Sequence, residues 1–160
     1  MGYVLKKANP LCTYVICDLP EALHVSSTYL PRLLPKEKIH SFPETRVGDI
    51  DEKVLNEGGL FFLSTQDMDR LSDKSINFLI NIASFQEMTS VQVNEYFDLI
   101  DQKVKGVFFT QQLRSAQTHS YQLGEIAGLD KYPFRSNWKR LYLRNATFSD
   151  LYFETVHAIM

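Results

Sequence analysis

Few residues in this chain have the type and placement to do chemistry, and Asp18 comes first among them. It ends a run, Thr13-Tyr-Val-Ile-Cys17, of β-branched, aromatic and apolar residues that reads as a buried strand. Leu19 follows, then Pro20-Glu21. Proline suits the first turn of a helix, where its missing N–H would be unpaired anyway. An acid at the carboxyl end of a strand that opens into a helix is the second half of a nucleotide-binding βαβ unit, and it can accept hydrogen bonds from both hydroxyls of a ribose. The plainer reading is that Asp18 only caps the helix.

Glu87 and His119 are the candidates for moving a proton. Glu87 is either a general base, its carboxyl raised by burial, or a solvated acid that suits the start of the next helix. His119 lies in a long polar stretch, Gln111 to Asn137, from which a base for a hydroxyl proton could come, although a lone loop histidine is more often merely exposed. Trp138, among Arg135, Lys139 and Arg140, either stacks on a sugar or nucleotide or is buried against a sheet. His24, His40, His119 and His157 are scattered and show no metal-ligand spacing. Cys12 and Cys17 fall on opposite faces of one strand, which argues against a bridge and against a metal knuckle.

The elements that must position these residues follow in order. Gly2 to Lys7 is the end of a helix, stopped by Asn9-Pro10. A strand starts at Thr13, and a helix runs from Pro20 until Pro31 ends it. Lys38 to Phe42 is a short strand. Gly48-Asp49 and Gly58-Gly59 are turn signals in a polar stretch. Leu60 to Thr65 is a buried strand, and Gln66 to Ser75 is a connection with one helical turn at most. Ile76 to Ile82 is the next strand. Thr89-Ser-Val-Gln92 fits a capping box for a helix with Val93, Tyr96, Phe97 and Ile100 on one face. Gly106 closes that helix, and Val107 to Thr110 is another buried strand. Arg140 to Asn145 and Leu151 to His157 read as an antiparallel pair.

Buried strands alternating with helices, closed by an antiparallel pair, predict an α/β sheet that is mostly parallel. A length of 160 residues fits a single domain, 1–160. With 44% hydrophobic residues, disorder is not the default, and a net charge of −2 gives no general attraction to nucleic acid or membrane. No membrane span or signal peptide stands out, so a reducing cytoplasm is the expected location. Asn145-Ala-Thr fits a glycosylation sequon but carries little weight without a secretory signal.

Asp18-Leu-Pro-Glu21, the strand from Ile76 and Asn81-Ile-Ala-Ser-Phe-Gln-Glu-Met88 together resemble the sugar O-methyltransferases, which are S-adenosylmethionine-dependent, Rossmann-like enzymes. The resemblance runs from about Gly2 to about Gln112. Asp18-Leu19-Pro20 also looks like the ribose-binding turn of plant phenolic O-methyltransferases, and the antiparallel pair looks like the usual last two strands of the fold. The resemblance implies that Asp18 and Leu19 hold the ribose and that Gln66 or Asp67 sits near the adenine amine. It also implies that Asn81 to Ser84 pass under the methionine end, with Glu87 on the substrate side.

The family opens with a strand and a glycine-rich turn. This chain begins inside the helix that follows them, and Gly58-Gly59 precedes a strand instead of following one. The expectation is therefore a methyltransferase domain whose first strand, central in the sheet between the strands at Thr13 and Ile76, is missing. Such a chain would be inactive alone, with a sugar or nucleotide sugar as the family's substrate and a second chain as a possible source of the strand. Two other readings stand beside it. One is a non-catalytic, degenerate α/β module. The other is a nicotinamide-dependent oxidoreductase, whose Tyr-x-x-x-Lys pair matches only at Tyr3 and Lys7, ahead of every strand.

Overall fold

A computed structural model describes residues 1–40, 50–114 and 128–160. The chain divides into two compact units, residues 1–72 and 73–160. Both are α/β: the first carries a parallel three-stranded sheet, the second a mixed four-stranded one.

In the first unit, α1 (Gly2–Ala8) leads to β1 (Tyr14–Asp18), α2 (Pro20–Leu33), β2 (Ile39–His40), α3 (Glu52–Asn56) and β3 (Leu60–Ser64). The sheet order is β1-β3-β2. β3 is buried along its whole length, as its apolar run Leu60-Phe-Phe-Leu predicts. Leu23 and Leu34 pack on Leu60 and Phe62 to form the core of this unit. Gly59, at φ 101°, makes the turn into β3, and a Cβ there would lie 2.3 Å from the Lys38 carbonyl oxygen.

Two expectations fail in this unit. Pro31 does not end α2, which runs to Leu33 and closes with Leu34 N–H donating to the Leu30 carbonyl. The polar stretch before Gly58-Gly59 holds α3, nucleated by the Asp51 carboxylate, which accepts from the Val54 N–H at 2.8 Å. The short strand is confined to Ile39–His40 among the described residues, and Phe42 and Gly48-Asp49 lie outside them.

In the second unit, β4 (Ile76–Ile82), α4 (Ser90–Lys103), β5 (Val104–Leu113), β6 (Lys139–Ala146) and β7 (Ser149–Ala158) follow in order. The sheet order is β4-β5-β7-β6, with β4 parallel to β5 and the last two strands antiparallel. Val93, Phe97 and Ile100 on α4 are buried against Phe108 and Phe153 of the sheet. Thr89 caps α4 through a complete capping box with Gln92. Gly106 does not close this helix: α4 ends at Lys103 and Gly106 lies inside β5. The site tolerates only glycine, because a Cβ would lie 2.0 Å from the Asn77 carbonyl oxygen where the β4–β5 register shifts.

β1 and β4 each have one neighbouring strand among the described residues. Their sequences suggest interior strands, but both are largely half-buried or exposed, with Phe78 53% and Ile82 39% exposed on β4. β4 has neither charge nor proline, the devices that usually blunt a free strand edge. Among the described residues, no helix is long and apolar enough to cross a membrane.

Candidate functional site

The first group of predicted residues meets at one end of the three-stranded sheet. Parallel pairing sets Asp18 opposite Ser64, so the carboxyl ends of β1 and β3 lie side by side. The chain leaves β1 through Leu19 into α2 and leaves β3 into a 3-10 helix, Thr65–Arg70, that carries Gln66 and Asp67. Ends of adjacent parallel strands are where open α/β sheets bind ligands.

Asp18 is exposed and its Oδ1 accepts from the Leu19 N–H at 2.8 Å. It does not reach further into α2, whose N-cap residue is Leu19 with no side-chain cap. The capping reading therefore uses one carboxylate oxygen at most. Gln66 is exposed beside it in the fold, and Leu19 is 59% exposed. Asp67 is committed elsewhere: the Ser64 hydroxyl donates to its Oδ2 at 2.5 Å, and Arg70 pairs with its Oδ1 at 3.3 Å. Between these acids, the Cys17 sulfur faces the Ser64 carbonyl at 3.4 Å although part of the residue is exposed. Desolvation, then the negative fields of Asp18 and Asp67, push its thiol up to about 12, so it is not a nucleophile at neutral pH.

The second group lies on the turn that leaves β4. Asn81 Nδ2 donates to Ser84 Oγ at 2.6 Å, and Ala83 between them is held at φ 57°. A left-handed alanine costs about 1 kcal/mol, and such strain collects at functional turns. A short 3-10 helix, Phe85–Glu87, follows, with Phe85 in the core and Glu87 exposed. The burial that the general-base reading expects of Glu87 is not seen.

β5 grips this turn in a way that no local pattern announces. Gln111 carbonyl accepts from the Ala83 N–H at 2.8 Å, and the Leu113 N–H donates to Gln86 Oε1 at 3.0 Å. Between them, Gln112 Nε2 donates to Asn81 Oδ1 at 2.6 Å and to Thr110 Oγ1 at 2.9 Å. The sequence reading starts a long polar stretch at Gln111, whereas β5 runs on to Leu113 with Gln111 and Gln112 buried.

His119 lies outside the described residues. Trp138 is buried: it stacks on Phe97 at 5.6 Å and donates through Nε1 to Asp101 Oδ1 at 2.6 Å. It is a core residue and not a stacking platform. Among the described residues, no group of three or more His, Cys, Asp or Glu is placed to hold a metal ion.

Comparison with family models, with curated proteins and with solved structures finds no match to the chain.

Proposed function

We propose that the chain is a Rossmann-like, S-adenosylmethionine-dependent O-methyltransferase domain acting on a sugar hydroxyl, inactive until a further strand covers the edges that β1 and β4 leave open among the described residues. The observation that carries this reading is Asp18. Its carboxylate ends a parallel strand, stays exposed, and keeps an oxygen outside its own helix cap. The strand orders are compatible with it. β1 and β4 are edge strands of their sheets among the described residues, as are β2 and β6.

The cofactor, when bound, supplies the electrophilic methyl group and the leaving thioether. The chain's own residues then have limited tasks. Asp18 accepts from the ribose hydroxyls, and Gln66 is the free partner for the adenine amine, since Asp67 is held by Ser64 and Arg70. The Asn81–Ser84 turn offers an amide and a hydroxyl to the methionine end. Glu87 or His119 takes the proton of the sugar hydroxyl. Free cysteines agree with a reducing cytoplasm. A non-catalytic module is the second reading, and the pairing of Asp67 away from solvent favours it.

Labelled methyl transfer to a panel of nucleotide sugars tests the proposal. The chain alone should show no turnover. The same chain with a strand and glycine-rich turn fused ahead of Met1 should methylate at least one sugar. A fused protein that binds the cofactor but methylates no sugar contradicts the substrate class.

A further inference from the structure

The β4 turn raises a question of energetics. Gln112 is fully buried, yet its Oε1 has no hydrogen-bond partner among the described residues. An orphaned buried acceptor is costly, and a methionine of similar size would avoid the cost. The left-handed Ala83 lies on the same turn. Two local penalties around one turn mark a place where orientation is kept at the expense of stability.

We propose that Gln112 is a positioning residue for the site on this turn. Its Nε2 is bifurcated between Asn81 Oδ1 and Thr110 Oγ1, and Thr110 is itself buried on β5. The side chain thus ties Asn81 to the rigid centre of the sheet. With Oδ1 taken, Asn81 must present Nδ2 to Ser84, which sets the amide orientation. That contact spans Ala83 and holds it left-handed against Gln111. Leu or Met at 112 would leave Asn81 free to turn outward and Ala83 free to relax to negative φ. What Gln112 delivers is one donor orientation at a half-buried turn, suited to a ligand group that accepts hydrogen bonds, such as a carboxylate. That this group is the methionine carboxylate rests on the proposed function; that Gln112 sets the turn does not.

Amide hydrogen exchange of the ligand-free chain tests this. In Gln112→Met, exchange at Ala83 should rise about tenfold relative to the Thr155 amide in β7, while the melting temperature holds or rises. A purely packing role would lower stability and leave the ratio of the two amides unchanged. If Gln112→Met does not fold, Asn81→Ala, at a half-buried position, should raise the same ratio. An unchanged ratio in whichever variant folds overturns the proposal. Because no ligand is present, a negative methyl-transfer assay leaves this result standing, and the reverse also holds.

Discussion

Asp18 and Ser64 stand opposite each other on adjacent parallel strands but spend their side chains differently. Ser64 turns its hydroxyl onto Asp67, while Asp18 gives one oxygen to the Leu19 N–H. At the end of one sheet, Asp67 is thus engaged by Ser64 and Arg70, while Asp18 stays exposed.

Asp18→Ala should therefore separate binding from stability. The side chain is exposed, so the unfolding free energy should move by about 0.5 kcal/mol or less. In the protein fused to a strand and glycine-rich turn, S-adenosylmethionine binding should weaken by about 1.5–3 kcal/mol, the scale of hydrogen bonds to a charged group. Calorimetry of both proteins checks it, and equal affinities would remove Asp18 from the site.

Thr89→Ala should destabilise the second unit by about 1 kcal/mol. Thr89 Oγ1 accepts from the Gln92 N–H at 3.3 Å, and Gln92 Oε1 accepts from the Thr89 N–H at 3.0 Å. The substitution breaks the first bond and loosens the second. An unchanged denaturation midpoint would show that the box contributes nothing.

The capping box and β3 were legible because each is written in adjacent residues: Thr89 and Gln92, and an apolar run after Gly58-Gly59. Gly106 misled because a glycine after an amphipathic helix usually ends it, whereas here its lack of a side chain serves the approach of Asn77 from the neighbouring strand. α3 was missed because five residues with one buried leucine leave no periodic signal. Asp18 was legible by its place at a strand end. The grip of Gln112 on Asn81 was not, because 31 residues separate them and only tertiary structure brings them together.

Gly106→Ala should destabilise by about 1–3 kcal/mol, the cost of overpacking, since the group in the way is backbone and has no rotamer to change. Gly58→Ala is a useful comparison, because no atom lies within 4 Å of its Cβ and only its φ of 78° is unfavourable. Thermal denaturation should find Gly106→Ala the more damaging of the two.

His157 makes stability depend on pH. It is buried, stacked on Phe134 at 4.4 Å, with Nε2 3.2 Å from Thr155 Oγ1. Burial, then the charge of Arg140, pushes its pKa down to about 4. The unfolded chain, with an ordinary histidine near pKa 6.5, takes up the proton first. The stability contributed by neutral His157 is therefore complete above about pH 6.5 and falls away as pH drops towards 4. Urea denaturation between pH 7 and 4 should show this loss in the wild type, and His157→Phe should flatten that part of the curve. A parallel pair of curves would mean that His157 is not the group responsible.

The most direct test of the central claim is a titration of adenosine and S-adenosylmethionine into the isotopically labelled chain, followed by nuclear magnetic resonance. Weak binding by both ligands is expected, with the largest shifts at Asp18, Leu19 and Gln66, because these exposed residues follow the carboxyl ends of β1 and β3. No micromolar affinity is expected while the edges of β1 and β4 stay unpaired among the described residues. Shifts absent from Asp18, Leu19 and Gln66 would contradict the cofactor assignment. Micromolar binding with measurable methyl transfer would contradict the requirement for a further strand.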